Sequence, residues 1–147
     1  MYGIIATWRM ALEGISKADS MLKNNESAAD SIEEAIKAVD FEYYKSVGYG
    51  GLPNEEMEVE LDAAFMDGDT LEFGCVGGVK DFANPVSIAR SLMHYDANNF
   101  LVGQGAEKYA SRHGFERKTM LTDRAKIHYH NRTKEITNTE LKPYSGH

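Results

Sequence analysis

Apolar residues recur at helical spacing in two early stretches of the chain. Between Met10 and Lys23, Leu12, Ile15, Ala18, Met21 and Leu22 fall on one face, and Asn24-Asn25 ends the pattern. Ser27 then reads as the N-cap of a second helix, with Ala28, Ala29, Ile32, Ala35, Ile36 and Val39 along one side. Ahead of both, Gly3-Ile4-Ile5-Ala6-Thr7 is short and β-prone, which predicts a buried first strand.

The pattern changes after residue 40. Ser46-Val47-Gly48-Tyr49-Gly50-Gly51-Leu52-Pro53 concentrates glycine and proline, the mark of a shaped loop. A strand follows from Glu58 to about Met66. Asp67-Gly68-Asp69 is a hairpin turn signal, and the return strand runs from about Thr70 to Val79 through Leu71, Phe73 and Cys75. Asn84 is predicted to cap the next helix, with Pro85 at its first position and Val86, Ile88, Ala89, Leu92 and Met93 on its apolar face. Phe100-Leu101-Val102 is a short buried strand. Gly103-Gln104-Gly105 turns into a helix at about 105–112, ended by Gly114, and Thr122 caps a last helix to about Lys134. The division is therefore a folded part, 1–134, and a polar tail, 135–147, without periodicity.

The order β-α-α-loop-β-β-α-β-α-α predicts an α/β layered architecture. Strands are few for two packed sheets, which points to one part of a larger fold.

Composition narrows the function. Sixteen basic against 23 acidic side chains leave a net charge of −7, which repels phosphate backbones and argues against nucleic-acid binding. No stretch approaches the apolar length of a membrane helix. The first residues lack the basic-then-apolar pattern of a signal peptide, so a cytoplasmic location is expected. Cys75 is the single cysteine, which leaves neither an intrachain disulfide nor a thiolate cluster, and it reads as a core thiol.

No set of side chains in the sequence assembles a catalytic site unaided. His128-Tyr129-His130 would share a face only on a strand, and they lie in a predicted helix, so a metal site is not expected. Asp67 and Asp69 are explained by turn chemistry. Asp62, between apolar neighbours on a strand, is a candidate for burial, with a structural hydrogen bond favoured over a role in shaping a site. Gly103-Gln104-Gly105 lacks the third glycine of a dinucleotide fingerprint, since Lys108 stands there.

Four segments point further when taken in order: Thr7-Trp8 after the first strand, Ser46 to Pro53, Leu61-Asp62-Ala63-Ala64-Phe65-Met66-Asp67-Gly68, and Asn84-Pro85-Val86-Ser87-Ile88-Ala89-Arg90. Leu101 to Ala106 and His113-Gly114-Phe115 continue the series. Together they resemble the α chain of the glycosylasparaginases, which are N-terminal-nucleophile amidohydrolases. The resemblance extends to about Thr122.

It implies a four-layer αββα sandwich completed by a β chain from the same precursor, assembled as a dimer of αβ units. The precursor of such a family cuts itself at an Asp-Thr bond, and the freed threonine on the β chain is the nucleophile. His147 is then expected to lie just before that bond. By resemblance Trp8 forms a wall of the substrate pocket, Ser46 lies beside the nucleophile and supports it by hydrogen bonding, and Thr7 lines the same edge. Glycines 48, 50 and 51 are expected to let the backbone pass close to the partner chain. No cofactor is implied. The substrate class is N4-substituted asparagine, with glycosylasparagine first. An L-asparaginase or β-aspartyl peptidase of the same family is the alternative, and a non-catalytic binding domain is the alternative of another class. Where the family often has an aromatic two residues after Trp8, this chain has Arg9-Met10, which sets a charge near the expected pocket mouth.

Overall fold

The computed structural model describes residues 1–39 and 47–138. Helix α1 runs Leu12–Lys23 and α2 runs Ala28–Lys37. They form an antiparallel pair because Gly14 lets the backbones meet, and a Cβ there would lie 2.1 Å from the Ala35 carbonyl oxygen. Ser27 caps α2 as predicted, its Oγ accepting from the Asp30 amide at 3.0 Å.

Strands β1, Glu60–Met66, and β2, Phe73–Lys80, pair antiparallel. Helix α3, Pro85–Leu92, leads to β3, Phe100–Val102, which lies parallel to β2 and gives the order β1-β2-β3. A parallel neighbour needs a crossover connection, and α3 supplies it. Helix α4, Gly103–Arg112, and helix α5, Asp123–Asn138, complete the described elements.

One face of this sheet holds the core. Leu61 of β1 packs with Val59 and Met120 in a smaller buried cluster, while Phe65 of β1 and Val76 and Val79 of β2 point into the main core, an irregularity in the pairing bringing Val79 onto the same face as Val76. Ile88 and Leu92 of α3 and Ala106 of α4 cover them. Gly74 permits the contact, because a Cβ there would meet the Ala89 carbonyl oxygen at 2.0 Å. The α1–α2 pair joins this core through a polar clasp. Arg90 of α3 lies 2.6 Å from Asp30 and 2.5 Å from Glu33, and the Ser87 hydroxyl donates to Glu33.

No described element covers the opposite face, which is largely apolar and also carries the exposed carboxylate of Asp62. Met66, Phe73, Phe100 and Val102 are exposed on it, beside half-buried Cys75. A largely apolar sheet face in water is what a layered fold normally covers.

Several expectations change. Residues 3–7 form no strand, and Ile5 is 94% exposed. A strand is completed by a neighbour's hydrogen bonds, and no described strand lies alongside these residues. The hairpin strands are shorter than predicted because residues 67–72 form the loop. Asp67 Oδ1 accepts from the Asp69 and Thr70 amides, and the Asp67 amide donates to the Glu72 carbonyl at 2.9 Å. Those two amides hold the Asp67 carboxyl below its usual range, Thr70 first.

Asn84 does not cap α3 with its side chain. Its backbone is left-handed, at φ 51° and ψ 61°, whereas a capping side chain works from an extended backbone. Helix α4 begins at Gly103, two residues early, with Gly103 at φ +48°. Helix α5 runs four residues past Lys134 to Asn138, so it enters the expected tail. It carries His128, Tyr129 and His130 as predicted, and Thr122 Oγ1 caps its start by accepting from the Ala125 amide at 3.1 Å. Phe100 and Val102 are exposed rather than buried, because they face the bare side of the sheet. Residues 139–147, including His147, lie outside the described residues.

Candidate active-site wall

The segment ahead of α1 is held by few groups. The Tyr2 hydroxyl donates to Asp19 at 2.9 Å, and Lys23 donates to the same carboxylate at 2.6 Å. These two bonds, Lys23 first, hold the Asp19 carboxyl below the usual range, and Asp19 in turn raises the Tyr2 phenol. At the far end the Trp8 carbonyl accepts from the Ala11 amide at 3.0 Å, which starts the short 3₁₀ turn Arg9–Ala11.

Between these anchors, residues 2–8 border a cleft of about 560 Å³ with α1 and α2. Ile5, Trp8, Ile15, Ile32, Ile36 and Val47 give it an apolar lining. The apolar face of α2, read from its periodicity as core-facing, therefore looks onto open space along part of its length, with Ile32 and Ile36 exposed. A second cleft of about 350 Å³ shares Ile4, Ala6, Thr7, Trp8 and Ile15 with the first and adds Arg9 and Leu12.

Thr7 and Trp8 are brought together here, both exposed, with Trp8 71% accessible. Trp8 is thus a surface aromatic on a cleft rather than a core residue. Ser46 lies outside the described residues, and Val47, next to it in sequence, lines the same large cleft. The glycines that follow serve the loop itself. Gly48 and Gly50 sit at φ 55° and 81°, and the Gly50 amide donates to the Met120 carbonyl at 2.8 Å.

The described lining of both clefts is mainly apolar. Its polar side chains are those of Tyr2 and Thr7 in the large cleft and of Thr7 and Arg9 in the small one. Among the described residues, no group of three or more His, Cys, Asp or Glu side chains could hold a metal ion. Asp62 is exposed rather than buried, and its carboxylate accepts from the Gly78 amide at 2.8 Å, so the structural hydrogen bond is its role. No described helix is long and apolar enough to cross a membrane.

The described residues thus combine a helix-covered mixed sheet with a mainly apolar cleft bordered by Thr7 and Trp8. Comparison with known proteins gives the family: residues 6–145 match Asparaginase_2, the Asparaginase family, and the chain belongs to it. An isoaspartyl peptidase/L-asparaginase of Rattus norvegicus is 37% identical over 123 residues, covering 79% of this chain and 37% of that protein. An N(4)-(beta-N-acetylglucosaminyl)-L-asparaginase of Elizabethkingia miricola is 34% identical over 120 residues, covering 81% and 35%. A plant-type L-asparaginase of Thermococcus kodakarensis is 35% identical over 120 residues, covering 82% and 35%. The chain thus spans little more than a third of the length of these relatives.

Proposed function

We propose that this chain is the α subunit of an asparaginase-family amidohydrolase whose nucleophile, a threonine, opens a β chain cut from the same precursor. The observation that carries this reading is the family match across residues 6–145. The bare sheet face and the open cleft agree with it, because both are largely apolar surfaces that a second sheet would bury in an αββα sandwich. Pairs of such αβ units would form the full assembly.

The reaction is hydrolysis of the amide on an aspartyl β-carboxyl group. A threonine hydroxyl is a weak nucleophile until a base takes its proton, and a free α-amino group titrates near pH 8, in reach of that task. The oxygen attacks the amide carbon, an ester forms as the C–N bond breaks, and the amine leaves with a proton. Water then opens the ester and releases aspartate. Donors on the β chain must hold the developing oxyanion. Trp8 and Thr7 give the substrate its wall, and Ser46 supports the nucleophile.

The relatives' names divide between peptide, sugar-linked and free asparagine amides. Glycosylasparagine, asparagine and β-aspartyl dipeptides are therefore the substrates to assay with the complete protein. Intact mass should give two fragments, the second beginning with threonine, and release of aspartate from at least one substrate. A single uncut polypeptide that hydrolyses none of the three would remove this reading.

A further inference from the structure

Residues 1–39 contain four basic side chains, and three have acidic partners. Lys17 and Lys37 each lie 2.6 Å from Glu34, and Lys23 lies 2.6 Å from Asp19. The fourth, Arg9, is exposed and engages no carboxylate or ring among the described residues. It lines the cleft of about 350 Å³ together with Thr7, Trp8 and the apolar side chains of Ile4, Ala6 and Leu12. A guanidinium is a planar fork that grips a carboxylate through two parallel N–H donors. Exposed beside an apolar-lined cleft, with no carboxylate partner among the described residues, it is free to pair with an incoming anion.

The candidate substrates differ in one relevant respect. The amine that leaves asparagine is ammonia, and the one that leaves glycosylasparagine is a neutral sugar amine. The amine that leaves a β-aspartyl dipeptide is an amino acid, with a carboxylate two bonds from the nitrogen that departs. Only the dipeptide brings a negative charge to the side of the scissile bond on which the leaving group sits.

We propose that Arg9 is a specificity-determining residue that binds the leaving-group carboxylate of β-aspartyl dipeptides, and so sets the enzyme's preferred substrate class. This rests on the reading of Thr7 and Trp8 as the substrate wall. Arg9 follows Trp8 directly in the chain and shares its cleft, so a substrate seated against the indole has its leaving group within reach of the guanidinium. The charge acts on binding and takes no part in proton transfer, so its effect falls on KM and leaves kcat nearly unchanged.

The test uses the complete processed enzyme and two matched substrates, β-aspartyl-leucine and β-aspartyl-leucinamide, which differ only in the terminal carboxylate. The wild type is expected to favour the acid over the amide by about three- to tenfold in kcat/KM, the range of a partly exposed charge-assisted pair. Arg9→Gln should abolish that preference by raising KM for the acid alone, Arg9→Lys should keep part of it, and added salt should shrink it in the wild type. Equal wild-type rates on the two substrates, or a preference that survives in Arg9→Gln, would overturn the role of Arg9 and leave the amidohydrolase reading standing. Hydrolysis of neither by the wild type, with no activity on asparagine or glycosylasparagine, would remove both.

Discussion

The Asp62 carboxylate accepts a 2.8 Å hydrogen bond from the amide of Gly78 across the β1–β2 pair. Leu61 is paired with Val79 and Ala63 with Val76, so Asp62 faces two residues, Gly77 and Gly78, in a β-bulge. The extra residue leaves an amide without a ladder partner, and Asp62 supplies the acceptor. Gly78 adopts φ +58°, which a side chain resists. Asp62→Ala is expected to destabilise the complete protein by about 1–2 kcal/mol, and Asp62→Asn by less, since an amide oxygen still accepts. Gly78→Ala should cost about 1–2 kcal/mol from the backbone alone. Urea unfolding of the three variants and of Asp62→Ala/Gly78→Ala measures this, and the double variant should cost less than the sum because both changes disturb one bulge.

Acid should weaken the hold of α2 on α3, through Asp30, and the hold of α1 on α2, through Glu34. Asp30 is held below the usual carboxylate range by the Ser27 hydroxyl first and Arg90 second, and Glu34 by Lys17 first and Lys37 second. A carboxyl depressed in the folded state adds stability above its unfolded pKa of about 4, and that contribution is lost as pH falls through the folded value. Thermal unfolding followed from pH 7 to pH 3 should therefore show a falling midpoint below about pH 4. Asp30→Asn and Glu34→Gln should each start lower at pH 7 and show a shallower acid limb. An acid limb identical to the wild type in both variants would contradict this account.

Two glycines mark where elements touch backbone to backbone. A Cβ at Gly14 would lie 2.1 Å from the Ala35 carbonyl oxygen, and one at Gly74 2.0 Å from that of Ala89. Neither obstacle is a flexible side-chain end, so helices must shift. Gly14→Ala and Gly74→Ala are expected to cost about 1–3 kcal/mol each, the range for overpacking. Gly105, inside α4, has nothing within 4 Å of the same position, and Gly105→Ala should stabilise by about 0.5–1 kcal/mol. Denaturant midpoints of the three variants give the comparison, and the opposite sign at Gly105 separates crowding from any general effect of added methyl groups.

The helices were legible because their apolar spacing is local. Ser27, Pro85 and Thr122 each stand at or just before a helix start as their chemistry predicts. The strand expected at Gly3–Thr7 does not form among the described residues, for a physical reason. Ile4 and Ile5 carry β propensity, but a strand exists only with a neighbour, and sequence pattern does not say which chain supplies it. The same limit hid the cleft. Ile32 and Ile36 have the spacing of core residues, and periodicity cannot distinguish a face that meets a core from one that borders an open groove. Trp8 and Thr7 were found by resemblance alone, since an exposed Thr-Trp pair carries no pattern of its own.

Trp8 offers a way to separate binding from folding. Trp8 is 71% exposed, so removing its side chain takes little apolar area out of contact in this chain. The Trp8 carbonyl, which holds the 3₁₀ turn by accepting from the Ala11 amide, survives any side-chain substitution. Trp8→Phe keeps an aromatic face and Trp8→Ala leaves an open gap in the cleft wall. Under the proposed function, Trp8→Ala in the complete protein is expected to raise KM about five- to thirtyfold for an aspartyl amide, and Trp8→Phe to raise it less, as the loss of one aromatic contact of about 1–2 kcal/mol requires. The unfolding midpoint of the complete protein should move little in either variant. If Trp8→Ala instead lowers that midpoint while KM stays at the wild-type value, Trp8 is a folding residue and the substrate wall lies elsewhere.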